Sequence, residues 1–210
     1  MKKIILAAIF CSASTAAFAQ YSAGSIVQNV ATGHYYQLFT GSATWDEANS
    51  YTALLSHNGF QGHLATVTSQ DETDFLVDVF GGSMLADKSI GGRQAPGAGA
   101  RDSDWSWITG EAWDYEFWHS GEPNDNYSPI EVGNENALQF AHNNSNGSWN
   151  DIPFSGYAPN GFLVEYSGSP VEGEPVPEPG EWSAMGLLGA GLALLTLKGR
   201  MRRNGSARQG

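Results

Sequence analysis

Apolar residues recur with helical spacing in two stretches of the chain, both in its first half. Thr44-Trp45-Asp46-Glu47 has the form of a capping box, and Trp45, Ala48, Tyr51 or Thr52, and Leu55 follow on one face. Ser69-Gln70-Asp71-Glu72 repeats the form, with Phe75, Leu76, Val79 and Phe80 behind it and Gly81-Gly82 as a stop. Around these helices HYYQLF, 34–39, and HLATV, 63–67, read as short strands. The second half shows no helical period. Its aromatic runs, WSWI, YEFW, ALQF and GFLVEY, are separated by Gly, Asn, Asp and Pro, which predicts small strands joined by long loops. Strand, helix, strand, helix and then strands with loops describe an α+β domain.

The two ends have a different character. Residues 1–19 carry Lys2 and Lys3, an apolar stretch and a small-residue Ala17-Phe18-Ala19 site, which predicts a secretory signal peptide cleaved before Gln20. Cys11, the one cysteine of the chain, lies inside it, so a mature chain from Gln20 has no thiol for a disulfide, a thiolate metal site or a nucleophile. Residues 168–181 are rich in Pro, Glu and Gly and read as an extended linker. The apolar span 182–197 would cover about 24 Å as a helix and predicts a transmembrane segment. The basic tail 198–210 would stay cytoplasmic and leave the domain outside. Val176-Pro177-Glu178-Pro179, the short apolar span and the arginine cluster together resemble a PEP-CTERM sorting signal. That resemblance implies a Gram-negative host whose exosortase removes the tail and delivers the protein to the surface or extracellular matrix.

Between these signals the basic residues are Lys88, Arg93 and Arg101, so the formal charge of -12 for the whole chain understates the acidity of the domain. Such a surface repels phosphate backbones and excludes nucleic acid as a partner. The acidity suits hard cations, which take six to eight oxygen ligands. Glu122 and Asn124 flank Pro123, Glu135 lies in GNENALQF, and Asn150-Asp151 lies in GSWNDI. All are in loop-like sequence, and a cis Glu122-Pro123 bond would turn both flanking side chains toward one point.

The order WSWITGE, FWHSGEPN, NENALQF, GSWND and FLVEY resembles a C-type lectin domain, over residues 33–167. The resemblance implies a C-type lectin-like fold with two helices, small antiparallel sheets and long loops. It also implies a calcium site of Glu122, Asn124, Glu135, Asn150 and Asp151, to which Asp151 could add its backbone carbonyl. Glu-Pro-Asn implies preference for mannose- or glucose-type vicinal diols, and the sorting-signal resemblance would match an exopolysaccharide as the natural ligand. Trp118 and Tyr127 flank this site and are the candidates for stacking on a sugar. Asp125, with Asp102 and Asp104, are the candidates for a second calcium site, although Asn136 stands where an aspartate is expected. The family's disulfides are missing, with Ala137 where a cysteine is expected, and Ser89 precedes Ile90 where a tryptophan is usual. Each lost bridge removes about 2–4 kcal/mol that packing must replace.

Other residues read more plainly. Trp45, Trp105, Trp107, Trp113 and Trp149 are expected to pack in the core or its loops. His34, His57, His63, His119 and His142 show no metal spacing and read as surface or core residues. GGRQAPGAGA has no following helix or lysine and makes no phosphate cradle. A glycosidase using Glu122 and Glu135 is disfavoured, because both would be committed to the metal. The alternative to a lectin is a protein-binding or structural matrix module of the same fold, with calcium only structural or absent.

Overall fold

The computed structural model describes residues 21–95, 98, 100–126 and 135–168. The expected signal peptide, the linker beyond Gly168, the span 182–197, the basic tail and Tyr127 lie outside the described residues. No helix among the described residues is long and apolar enough to cross a membrane. The described residues divide into a large compact unit, those within 21–57 and 61–168, and the three residues Asn58–Phe60. The candidate site lies wholly in the first.

Both helices start where the sequence places them. Helix α1, Trp45–Thr52, opens on a complete box: the Thr44 hydroxyl accepts from Glu47 N, and Glu47 accepts from Thr44 N at 2.9 Å. It buries Trp45, Ala48 and Thr52. Helix α2, Gln70–Phe80, has half a box. The Ser69 hydroxyl accepts from Glu72 N at 3.2 Å, but the Glu72 carboxylate turns inward to Tyr36 and to Thr68. Glu72, Thr73 and Leu76 are consequently the buried face, while Val79, expected inside, is 40 % exposed. Gly81 ends the helix at φ 82°, a left-handed value that glycine takes without strain, and a further short helix, α3 (Gly82–Leu85), follows at once.

The sheet begins earlier than the apolar pattern suggests. Strand β1, Ser22–Gln28, pairs antiparallel with β2, Tyr35–Thr40, upstream of the first expected strand. Its residues are mostly exposed, so it carries no alternation to read. The short β3, Ser56–His57, precedes β4, Phe60–Leu64. The strand expected over 63–67 is thus shifted upstream. Strands β5 (Ser89–Gln94), β6 (Trp105–Trp107), β7 (Ala137–Phe140), β8 (Trp149–Ile152) and β9 (Phe162–Tyr166) complete the sheet.

Along the sheet the order is β1-β2-β9-β5-β7-β8, with β4 also on β9 and β6 on β5. Strand β9 pairs antiparallel with both β2 and β4, and every one of its residues is buried. This explains the unbroken apolar run FLV, and it leaves Glu165 inside the protein. The YEFW run forms no strand of its own. Trp113, Tyr115 and Phe117 alternate toward the core and pack on it, with one ladder-like bridge at Trp118↔Trp149.

Packing takes over where disulfides are missing. Trp107 and Trp149 are fully buried and meet edge to face at 5.5 Å, and Trp113 lies 4.7 Å from Trp107. Aromatic pairs of this kind contribute about 0.5–1.5 kcal/mol each beyond the area they bury. The five tryptophans expected in packing roles are all in them: Trp45, Trp105, Trp107 and Trp149 are buried, and Trp113 packs against the core. Replacing Thr44 by Ala removes the one complete capping box. It should lower stability by about 1 kcal/mol in chemical denaturation, with the slope of the transition unchanged.

Candidate functional site

Strand β8 is the foundation of the site. On one side it is laddered to β7, with Leu138 opposite Asp151 and Gln139 opposite Asn150. On the other, His119 N donates to Trp149 O at 2.8 Å and Trp149 N donates to Phe117 O at 2.7 Å. The segment 117–119 is therefore fixed beside β8, and the loop that follows it is delivered to Asn150 and Asp151. Glu122 N closes the intervening turn on His119 O at 2.9 Å. The Glu122-Pro123 bond is cis, as expected.

Asp151 is fully buried and holds this loop by its backbone. Its Oδ1 accepts from Asn124 N at 3.0 Å and its Oδ2 from Asp125 N at 2.7 Å. Two further bonds draw in Glu135, which lies just before β7. Glu135 Oε2 accepts from Asn126 N at 2.7 Å, and Glu135 N donates to Asp125 Oδ1 at 3.1 Å. Asp125 takes φ 54°, in the left-handed region that Asp tolerates better than most residues. Asn150 Nδ2 donates to Asp151 O at 2.7 Å. That carbonyl, expected to be available to a metal, therefore already has a neighbour on one lone pair.

The structure thus brings all five residues of the expected calcium set to adjoining segments. The set supplies three carboxylates and two carboxamides, the oxygen donors that a hard cation prefers. Two of its atoms make the sharper test of fit. Glu122 Oε2 and Asn124 Oδ1, on either side of Pro123, are buried and meet no hydrogen-bond partner among the described residues. Buried acceptors are costly to leave in that condition, and a cation would satisfy both. The residues fit the group.

Electrostatics point the same way. Burial, and then the neighbouring Asp151 carboxylate, push the Glu122 carboxyl up to about 7. Burial followed by the charge of Asp151 likewise pushes Glu135 up to about 7. The carboxylates of Glu122, Asp125, Glu135 and Asp151 lie close together here, and their repulsion adds to burial in favouring the protonated form of the two glutamates.

Trp118 is half-buried and engaged with other rings, edge to face with Trp105 at 5.0 Å and with Trp149 at 6.0 Å. Asp102 and Asp104 sit in the turn before β6. Asp104 binds Ser103 through Oδ2 and Ala95 through its carbonyl. Among the described hydrogen bonds none joins that turn to Asp125, whose carboxylate serves the Glu135 loop.

A second acidic group was hidden from spacing. Among the described residues, His34, Glu72 and Glu165 are the group whose ligand-type atoms all lie within 4.8 Å of one another. The loop carboxylates are set wider apart. The buried group is already satisfied by protein. His34 Nδ1 lies 2.7 Å from Glu165 Oε1, and Thr66 N donates to Glu165 Oε2 at 2.9 Å, while the Thr66 hydroxyl lies between Glu111 Oε2 at 2.5 Å and Glu165 Oε2 at 3.0 Å. Tyr36 and Thr68 fill the two oxygens of Glu72. Burial raises Glu165, but His34, the charge of His63 and the Thr66 amide outweigh it and hold the carboxyl below its ordinary value. Sequence contains one signal of this group, a lone glutamate inside the apolar FLVEY.

No family model matches the chain. It is 35 % identical over 159 residues to halomucin of Haloquadratum walsbyi (strain DSM 16790 / HBSQ001), covering 72 % of this chain and 2 % of that protein. A lectin of Pleurodeles waltl is 29 % identical over 119 residues, covering 56 % of this chain and 62 % of the lectin. Human C-type lectin domain family 4 member K is 30 % identical over 125 residues, covering 58 % and 33 %. The chain thus spans less than two thirds of the length of each of these relatives. Among solved structures, C-type lectin CEL-I from Cucumaria echinata matches at TM-score 0.52 and 22 % identity, covering 64 % of this chain and 90 % of that one. The carbohydrate-recognition domain of the mouse scavenger receptor C-type lectin matches at 0.53 and 20 %, covering 69 % and 96 %. Human lithostathine matches at 0.52 and 20 %, covering 67 % and 96 %. The chain has the C-type lectin-like fold.

The raised carboxyls set a pH dependence for the cation-free protein. A folded pKa of about 7 against an ordinary 4.5 gives stability that is full below about 4.5 and is lost as pH rises through 7. In excess chelator, thermal melting should therefore fall between pH 5 and 8. Glu122→Gln, which keeps the shape without the charge, should flatten that fall.

Proposed function

We propose that this domain binds saccharides in a calcium-dependent way, through the loop built on Glu122, Asn124, Glu135, Asn150 and Asp151. The observation that carries the reading is the pair of buried, unpartnered oxygens Glu122 Oε2 and Asn124 Oδ1. Calcium, when bound, supplies a charge that draws two neighbouring sugar hydroxyls into its oxygen shell. The protein's own groups then complete the recognition. Glu122 and Glu135 accept the hydroxyl protons, and the amides of Asn124 and Asn150 donate to the remaining lone pairs. Asn150 keeps one amide hydrogen for this after serving Asp151 O. Asp151 holds the loop by its two N–H bonds and does not need to touch the sugar.

The fold supports a binding module over an enzyme, and the relatives named as lectins support carbohydrate as the ligand class. The Glu-Pro-Asn order supports mannose- or glucose-type vicinal diols. The signal peptide and sorting signal expected from the sequence of the two ends would direct export to the surface or matrix of a Gram-negative cell, through an exosortase that would remove the tail. Exopolysaccharide is the polymer that such a location offers. One small site binds one sugar weakly, so many copies along a polymer would supply avidity.

The test is binding of the purified full-length chain to immobilised mannose- and glucose-type glycans, with calcium and with chelator. Retention should be stronger with calcium than with chelator, and an Asn124→Asp/Glu122→Gln variant should lose that difference. Equal retention with and without calcium would rule the mechanism out.

A further inference from the structure

A cavity of about 460 Å³ opens elsewhere on the domain, between the end of β2, α3 with the residues up to Lys88, the Asn143–Ser145 loop and Asn160. It shares no residue with the loop site. Its size falls in the usual range for a small-molecule site, about 300–1,000 Å³, and most of the residues that line it carry polar groups beside apolar stems. Ser83, Ser145, Asn143 and Asn160 present hydroxyls and amides, and Asp87 and Lys88 present one charge of each sign.

Lys88 is the unusual member. Its residue is only 4 % exposed, yet its ammonium has a single described hydrogen bond, to Ala86 O at 3.2 Å. An ammonium carries three donors, so two remain for whatever enters. Burial pushes it below its ordinary pKa. Asp87 Oδ2 accepts from His142 Nδ1 at 2.6 Å, and its Oδ1 is buried with no partner among the described residues, so neither oxygen is bonded to the ammonium. The walls are built close. A Cβ on Gly82 would fall 1.8 Å from Ser145 O, so α3 and the asparagine loop touch through glycine. A Cβ on Gly161 would lie 2.1 Å from Phe39 O and 3.1 Å from Lys88 Cδ, so that glycine leaves room for the lysine stem. At the rim Met84 is 52 % exposed, an adaptable apolar surface beside polar groups.

We propose that this cavity is a second saccharide subsite that needs no cation and takes a neutral sugar unit. A phosphate or other strong anion would face Asp87 and find one cation. An apolar ligand would leave the amides and the ammonium unmatched. A sugar hydroxyl is donor and acceptor at once, so it accepts from Lys88 while its neighbours donate to amide or carboxylate oxygens. The C–H face of the ring can lie on Met84. The subsite stands independently of the calcium-loop reading. If both hold, one domain grips a polymer at two points.

Isothermal titration of the purified full-length chain in excess chelator tests it, with maltose, cellobiose and mannobiose as probes. At least one disaccharide should bind saturably. Lys88→Met should weaken it by about tenfold, the loss expected for a hydrogen bond from a charged donor. Ser83→Ala/Asn160→Ala, at exposed positions that do not endanger folding, should weaken it as well, while Glu122→Gln should not. The proposal is overturned if none of the three binds in chelator, or if binding survives the Ser83→Ala/Asn160→Ala pair unchanged. Failure of the calcium loop alone would appear differently, as calcium-insensitive glycan retention with the chelator titration intact.

Discussion

The site depends on one buried carboxylate. Asp151 sits at 0 % exposure on β8, and its two oxygens take the backbone N–H groups of Asn124 and Asp125. A buried charge needs such partners, and the loop supplies them only if it returns to β8 in one register. The Trp118↔Trp149 bridge and the flanking bonds to Phe117 and His119 set that register. Asn126 and Asp125 then tie in Glu135. Three separate stretches of chain are thereby assembled by backbone bonds to side-chain carboxylates. The arrangement leaves Glu122 Oε2 and Asn124 Oδ1 buried and without a partner among the described residues.

Two acidic groups in this domain show the difference between acceptors that the fold satisfies and acceptors that it leaves open. At Glu72 and Glu165 the oxygens are answered by Tyr36, Thr68, Thr66 and His34, and the result locks α2 and the end of β9 to the β2 side of the sheet. At the loop the acceptors Glu122 Oε2 and Asn124 Oδ1 have no partner among the described residues. Proximity alone would select the first group. Satisfaction of the donors and acceptors selects the second, and satisfaction carries the energy.

Much of this was legible in the sequence, for reasons that are local. Thr44 and Glu47 lie three residues apart, so their reciprocal bonds are a property of the segment itself, and the box forms as written. The same spacing at Ser69 and Glu72 gives half a box because Tyr36, distant in the chain, claims the glutamate. Strand β1 carries little buried surface and so left no pattern. The aromatic alternation of YEFW was visible, but packing on the core satisfies it without a ladder. In the site, the five oxygen-bearing residues could be named from their motifs, whereas the role of Asp151 as the loop's clasp could not. That role rests on backbone N–H groups, which have no sequence signature. His34 was likewise opaque, since its partner lies on β9, at the far end of the domain sequence.

The central claim is that the unpartnered oxygens beside Pro123 are the seat of a calcium ion. Calcium titration of the full-length chain by calorimetry, beside Glu122→Gln and Asn150→Ala, addresses it most directly. The account predicts saturable binding by the unaltered chain and a loss of about tenfold or more in each variant, since each removes one oxygen donor or its charge. Calcium affinity that is the same in all three proteins, or no binding to the unaltered chain, would contradict it.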